Sequence, residues 1–471
     1  MKKIFLFLIF FSAFLFPQKR NVIASRIDSL LTQPYFDTCM AAVEVFDLTG
    51  NKSVYKRNEK FLLHPASNMK LFSTIAALIN LPGEYNYKTE FGHNGIMNEG
   101  VIKGDLIVAG GADPDFVTGD LDTLILTLQG KGIRRIEGDL VGDIGLMDSL
   151  FWGKGWMWDD DPSTDAPYLT PLSINDNCII VEVYFDREAD SLVVRTEPEA
   201  DFVTIYNYAS FDSLKGSNLT VTRDFLNRSN DIIIKGSYDR YSRIRIKLNV
   251  FNPAGYFLSL LESRLRASGI EVTGQKLLRD TSVTSVSLYR KERGIMEVLT
   301  NVNKTSDNLS TELTLIQLGM LQNRRRLNAT EGIEYIYDLI EGSGFVPSNY
   351  RIVDGSGVSH YNLVSTELIN GILKYLYYNH PEKYLKLYET LPIAGVDGTL
   401  ASRMKQTKAF NNVRAKTGTL SGVSCLSGYV KDMDNNLYSF SIMMQNHYSQ
   451  LRTALKVQNE ICDIIASYGK K

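Results

Sequence analysis

Pro65-Ala66-Ser67-Asn68-Met69-Lys70 runs straight into Leu71-Phe72-Ser73-Thr74-Ile75-Ala76-Ala77-Leu78, and Pro82-Gly83 ends the run. The unbroken apolar stretch predicts a buried helix. With Ser67 opening it, Ser67 and Lys70 stand three residues apart on one face. A helix N-terminus carries partial positive charge and amides without intrahelical acceptors. A serine there can attack a carbonyl once a base removes its proton. Lys70 is that base if burial or a second cation lowers its pKa. The spacing alone also describes an ordinary helix cap, and it recurs at Ser53/Lys56, Ser402/Lys405 and Ser467/Lys470. Of these, only Ser67 follows a nearby proline and directly precedes an apolar helix.

Two further stretches carry chemistry. Ser306-Asp307-Asn308 opens the apolar run Leu309-Ser310-Thr311-Glu312-Leu313-Thr314-Leu315. Read plainly it is an N-cap, since Ser, Asp and Asn are the favoured capping residues. Read as chemistry, Ser306 and Asn308 face a cleft, where Ser306 relays a proton to a leaving amine and Asn308 holds Lys70 and a substrate amide. Lys416-Thr417-Gly418-Thr419 follows Asn412-Val413-Arg414-Ala415 and occurs once. Lys and Thr on a strand can bind a carboxylate by charge and hydroxyl. Gly418 lets backbone pass close to a ligand. The amides of Thr419 and Ser67 together form an oxyanion hole, where losing one donor typically costs about 3–4 kcal/mol of barrier. The plain alternative is a polar strand end running into a turn at Ser421-Gly422.

Around these stretches the fold reads as α+β. Residues 41–46 and 53–55 are strands flanking the turn Thr49-Gly50-Asn51. From about 85 to 285 short β-rich runs dominate, interrupted by amphipathic helices near 121–130 and 254–268. From about 293 helices return, with candidates at 308–320, 329–341, 365–378 and 448–466, and strands at 412–416, 423–431 and 437–445. Two early strands and three late ones predict one sheet made from both chain ends, with the middle third inserted. The expected division is 21–88 with 286–471 as the first unit, 89–165 with 250–285 as an inserted second, and 166–249 as a β-rich third.

Composition sets the outer bounds. The 471 residues are 44% apolar and 22% charged with net charge -2, a globular chain large enough for several domains and without a global basic field for nucleic acid. Lys2-Lys3 followed by an apolar run from Ile4 to Phe16 reads as an export signal within residues 1–20. The run is short of the roughly 20 residues a membrane span needs. The expected location is therefore periplasmic or extracellular, with no stable span after signal removal. Cys39, Cys178, Cys425 and Cys462 lie far apart, and four cysteines allow three pairings; Cys425 and Cys462 sit in apolar contexts that favour buried thiols. The histidines at 64, 93, 360, 380 and 447 have no metal-ligand spacing, so neither metal nor cofactor is expected. Self-association into a homo-oligomer is left open.

Ser-x-x-Lys, Ser-Asp-Asn and Lys-Thr-Gly in this order are the set shared by penicillin-binding proteins and class A β-lactamases. The chain resembles the three-domain D-alanyl-D-alanine carboxypeptidase/endopeptidases, a low-molecular-mass class of penicillin-binding protein, from about residue 25 to its end. Beyond the three motifs, the stretches that carry the resemblance are Gly110-Gly111-Ala112-Asp113-Pro114, Asp354-Gly355-Ser356-Gly357, Leu391-Pro392-Ile393-Ala394-Gly395 and Val413-Arg414-Ala415. The resemblance implies a penicillin-binding transpeptidase-like domain, an antiparallel sheet flanked by helices, with β-rich inserted domains. It implies Ser67 as acylated nucleophile, Lys70 as base, Ser306 as proton shuttle, Asn308 as orienting residue, and Lys416 with Thr417 as binders of a terminal carboxylate. The implied substrates are peptidoglycan stem peptides ending in D-Ala-D-Ala, and cross-links, with β-lactams as covalent inhibitors. One departure stands out: where this family usually has Arg after the Asp-Gly-Ser-Gly turn, this chain has His360. Asp143 is placed as the insertion's contribution to the cleft.

Two other classes compete. One is a non-catalytic peptidoglycan-binding or β-lactam-sensing protein that keeps the fold, against which the intact Ser67, Lys70, Ser306 and Lys416 argue. The other is a β-lactamase, against which the long insertion and the lack of a Glu-x-x-x-Asn element close after Ser67 argue.

Overall fold

The computed structural model describes residues 22–199, 201–214, 216–280, 283–322, 326–448 and 450–469. The expected export signal lies outside the described residues. Among the described residues no helix is long and apolar enough to cross a membrane.

The sheet that organises the site draws on both chain ends. Its strands run in the order Lys52–Arg57, Met40–Asp47, Leu437–Gln445, Val423–Lys431, Arg414–Leu420. All neighbours are antiparallel. The first hairpin turns at Gly50, whose N–H donates to Asp47 Oδ1 at 2.7 Å. Period-two alternation divides each strand between two cores. Val423, Cys425 and Tyr429 pack with Phe72, Ile75 and Ala76 of the helix Met69–Asn80. Leu426, Val430, Phe440 and Ile442 face the opposite layer, with Ile23 and Ile27 of the helix Val22–Leu30 and Val457 and Ile461 of the helix Leu451–Ala466. The helix Met69–Asn80 is thus sandwiched, and every residue from Met69 to Leu78 is buried. Burying each such Leu, Ile or Phe contributes roughly 1.5–3 kcal/mol relative to leaving it in water.

Around that helix pack Asn308–Met320, Ala329–Gly342, Thr366–Asn379 and two helices the sequence reading passed over, Ile295–Lys304 and Pro381–Thr390. The strand expected at 412–416 runs instead over Arg414–Leu420. Lys416-Thr417-Gly418-Thr419 therefore lies within the strand, on the free edge of the sheet.

The middle of the chain forms its own sheets. Lys276–Arg279, Leu140–Asp143, Leu106–Ala109, Asn86–His93 and Val286–Gly294 form one. The helices Thr118–Gly130 and Pro253–Ala267 share its core through Leu121, Leu124, Phe257 and Leu261. Ser191–Glu197, Cys178–Asp186 and Arg243–Asn249 form another, with a separate core of Val181, Val183, Ile232 and Ile234. The insertion is tied back to the site by a small cluster in which Trp156, Ala166 and Leu169 pack on Leu309, Leu313 and Ile316.

Candidate active site

The three motifs, separated by 239 and 110 residues in sequence, meet in one cleft of about 510 Å³. Ser67, Ser306, Asn308, Thr417, Gly418 and Thr419 line it. Lys70 and Lys416 lie beneath its floor, both fully buried.

Ser67 sits in the short 3-10 turn Ala66–Asn68 that leads into the helix Met69–Asn80, so the helix proper opens two residues later than the sequence pattern suggests. Several contacts hold this turn. Asn68 Nδ2 donates to Ser427 Oγ at 3.0 Å, and Ser427 Oγ to Ser441 Oγ at 2.9 Å, anchoring the turn in the middle of the sheet. Gln445 Nε2 donates to the His64 carbonyl at 2.8 Å. Ala66 has φ +47°, a left-handed conformation costly for a residue with a Cβ. Gly418 passes so close that a Cβ there would lie 2.8 Å from the Pro65 oxygen and 3.0 Å from the Ser67 nitrogen. Only a bare α-carbon lets the edge strand approach the Ser67 amide this closely.

Lys70 Nζ has three neighbours: Ser67 Oγ at 2.9 Å, Asn308 Oδ1 at 2.5 Å and the Ser356 carbonyl at 2.7 Å. Two of these can only accept. An uncharged amine has two N–H donors and one lone pair, so Asn308 and Ser356 take the donors and the lone pair is left for the Ser67 hydroxyl. Burial lowers Lys70 to about 8, working against Asp307, Asp354, Glu312 and Asp165, which favour its charge. Lys416 Nζ donates to Ser306 Oγ at 2.8 Å and to the Thr417 carbonyl at 2.9 Å. Burial, and then the charge of Lys70, push it well below the ordinary lysine value.

Ser306 has φ +67°, and its loop is held by capping: Asp307 Oδ1 accepts from the Ser310 N–H at 2.5 Å. Asn308 Nδ2 donates to the Asp165 carbonyl at 2.6 Å, so the insertion fixes which way this amide points. Asp160, Ser163 and Asp165 bring the insertion into the cleft. Asp143 does not contribute as expected. Its carboxylate folds back onto the Gly145 and Val283 amides at 2.9 and 3.0 Å, terminating its own strand. His360 lines the cleft, with its ring edge-on to His64 at 5.6 Å. Sequence reasoning missed Thr399, whose hydroxyl pairs with Thr417 Oγ1 at 2.8 Å, and the Ser356 carbonyl. Nothing marks Thr399 in sequence, whereas Ser356 belongs to a stretch singled out only for its resemblance. A more apolar pocket of about 370 Å³, lined by Phe151, Tyr168, Phe251 and Leu278, lies apart and contains none of these lysines or serines.

The antiparallel sheet flanked by helices, with a Ser–Lys pair facing Lys-Thr-Gly on its edge strand, defines a penicillin-binding transpeptidase-like protein. Comparison with known proteins agrees and narrows the class. The sequence profile of the D-Ala-D-Ala carboxypeptidase 3 (S13) family matches residues 23–467, and the chain belongs to that family. It is 27% identical over 407 residues to the D-alanyl-D-alanine carboxypeptidase DacB of Haemophilus influenzae, covering 86% of this chain and 84% of that protein. It is 28% identical over 464 residues to the D-alanyl-D-alanine carboxypeptidase of Actinomadura sp. (strain R39), covering 94% and 84%. The crystal structure of penicillin binding protein 4 (dacB) from Haemophilus influenzae superposes with a TM-score of 0.83 at 25% identity, covering 94% of this chain and 99% of that one. The same protein is also known complexed with a β-lactam. Family membership makes this chain a serine-type D-Ala-D-Ala carboxypeptidase.

Proposed function

We propose that this enzyme works through an acyl-enzyme on Ser67, taking peptidoglycan stem peptides ending in D-Ala-D-Ala, and cross-links of the same chemistry. The observation that carries the reading is the Lys70 amine, with two positions occupied by carbonyl acceptors and the third at the Ser67 hydroxyl. The terminal carboxylate binds beside Lys416 and Thr417. Its charge favours the protonated form of Lys416, and a charged Lys416 disfavours charge on Lys70. Lys70 takes the Ser67 proton as Oγ attacks the penultimate carbonyl, and the amides of Ser67 and Thr419 hold the developing oxyanion. The amide C–N bond then breaks. The leaving D-alanine amine receives a proton through Ser306, which bridges toward Lys416. As D-alanine leaves, Lys70 passes the Ser67 proton across the vacated site to Lys416 and is neutral again; water then attacks the ester carbonyl, giving a proton to Lys70, which returns it to Ser67 Oγ as the C–O bond breaks. β-Lactams acylate the same hydroxyl, a reading supported by the β-lactam complex of the Haemophilus relative. The apolar run at 4–16 supports export to the periplasm or cell exterior. The sheet topology supports three units, the first discontinuous. The pairing of Asn86–His93 with Val286–Gly294 within the second sheet supports joins near residues 85 and 295.

Fluorescent penicillin labelling and D-alanine release from a D-Ala-D-Ala peptide, each with Ser67→Ala alongside the parent, test this reading. Labelling and release that both vanish in the variant support it. Labelling of the parent without release favours a sensor, and rapid penicillin turnover a β-lactamase.

A further inference from the structure

Glu312 takes no part in the chemistry just described, yet it is 1% exposed and sits one turn beyond Asn308 on the helix Asn308–Met320. Residues four apart on a helix share a face, so Glu312 points where Asn308 does, toward the ground beneath Lys70. Its Oε1 accepts from the backbone N–H of Gly355 at 3.1 Å and of Ser356 at 2.7 Å. The Ser356 carbonyl, on the same residue, accepts from Lys70. Ser73, one helical turn after Lys70, donates from Oγ to the Gly355 carbonyl at 2.9 Å. The second carboxylate oxygen, Oε2, is buried and accepts no hydrogen bond of normal geometry. A buried carboxylate oxygen without a partner is expensive, and a structural anchor for two amides would not need a charged group.

We propose that Glu312 is a positioning residue for acylation: its carboxyl pins the Gly355-Ser356 turn so that the Ser356 carbonyl occupies one donor of Lys70, leaving the amine's free position to the Ser67 hydroxyl. This rests on Ser67 and Lys70 acting as proposed above. The carboxyl has an electrostatic consequence as well. Burial, and then Asp354, raise Glu312 to about 7, while Ser356 and Lys70 draw it back. Glu312 in turn stabilises the charged form of Lys70, together with Asp307, Asp354 and Asp165, with Lys416 opposing from the edge strand. Glu312 therefore acts in two ways that pull apart under substitution: its oxygen geometry serves catalysis, and its charge opposes the neutral base.

Glu312→Gln keeps the acceptor and removes the charge; Glu312→Ala removes both. The second-order rate of penicillin acylation is measured from pH 5.5 to 9.5 for both variants, with thermal melting as the folding check. Glu312→Gln is expected to keep the alkaline plateau within about threefold and to move the acid limb downward by about half a pH unit or more. Glu312→Ala is expected to lose about tenfold or more at every pH, with KM for a D-Ala-D-Ala peptide little changed because the carboxylate contacts remain. A Glu312→Gln profile superimposable on the parent overturns the proposal, as does a folded Glu312→Ala that acylates normally. If Glu312→Ala does not fold, Glu312→Asp, which keeps the charge but withdraws the oxygens by one methylene from the Gly355 and Ser356 amides, takes its place with the same loss expected. Failure of the underlying reading looks different: Ser67→Ala would still acylate.

Discussion

Gly357 lies against Ala66 so closely that a Cβ on it would stand 1.9 Å from the Ala66 carbonyl oxygen and 3.1 Å from the Ser67 nitrogen. Both residues are left-handed, Gly357 at φ +84° and Ala66 at φ +47°. The Asp354 turn thus presses on the backbone that presents Ser67, the proposed nucleophile. Asp354 braces the turn, accepting from the Gly357 and Ser359 amides at 2.8 and 2.6 Å and from Trp156 Nε1 at 2.9 Å. Gly357→Ala must push the Ser67 turn away or distort this brace. Penicillin acylation is expected to fall by about 100-fold, since displacements near 1 Å cost that much. Melting should report a loss of about 1–3 kcal/mol. An alanine variant with parental acylation would show that this contact does not position Ser67.

The buried lysines predict the pH profile. Burial lowers Lys70 to about 8; as the proposed base it is active when neutral, so its active fraction falls as pH drops below that value. With a β-lactam or a peptide bearing its terminal carboxylate, acylation should lose about tenfold per pH unit on the acid side and level off on the alkaline side. A peptide ending in D-alaninamide lacks the charge that keeps the proton on Lys416. It should acylate slowly, with its acid limb displaced to higher pH. Identical limbs for the acid and the amide would sink the coupling between the two lysines.

Thr399 orients Thr417, the proposed carboxylate binder, through a hydroxyl contact at 2.8 Å. Thr399→Val keeps the shape and removes the hydroxyl. One neutral hydrogen bond is worth about 0.5–1.5 kcal/mol, so KM for a D-Ala-D-Ala peptide should rise by about twofold to tenfold with kcat nearly preserved. A drop in kcat at unchanged KM would place Thr399 in the chemical step instead.

Much of this site could be read from the chain because its parts are local. Ser67 with Lys70, Ser306 with Asn308, and Lys416 through Thr419 each occupy one turn or one strand segment, where side-chain spacing dictates a shared face. What escaped reading was long-range. Thr399 reaches Thr417 from the short 3-10 turn Gly398–Leu400 before the edge strand, and Asp165 reaches Asn308 from the insertion across 143 residues. The helix Pro381–Thr390 is rich in Tyr, Glu and Lys, and its apolar face is sparse, with Tyr384, Leu387 and Thr390 buried. The Lys-Thr-Gly strand was misplaced at its end because Gly and Thr read as turn residues when nothing in sequence shows that Gly418 must graze Ser67.

All four cysteines are free thiols and buried, and burial raises Cys39, Cys178, Cys425 and, to about 12, Cys462. A raised thiol has little thiolate to react. A thiol reagent should therefore count close to none in the folded protein and four after denaturation, and reductant should leave Tm unchanged. A reductant-sensitive Tm would mean that a disulfide forms in this chain.

Arg223 is 1% exposed and holds the strand Thr220–Arg223 to the segment that enters the cleft. Its guanidinium pairs with Asp161, donates to Asn249 Oδ1 at 2.9 Å and to the Ser229 carbonyl at 2.8 Å, and lies over the Tyr168 ring, whose hydroxyl also donates to Asp161 at 2.8 Å. Removing one partner of a buried pair leaves the other charge without compensation. Arg223→Met should therefore destabilise by about 3–5 kcal/mol, and adding Asp161→Asn should recover part of that loss. Asp161 stands beside Asp160 and four residues before Asp165, whose carbonyl orients Asn308. A shift of this anchor is therefore expected to move the Asp165 carbonyl and, with it, the amide that contacts Lys70. Among folded molecules of Arg223→Met, acylation should slow by several-fold while carboxylate binding persists. A double variant no more stable than Arg223→Met would mean that the cost lies in lost packing of the arginine rather than in the stranded aspartate.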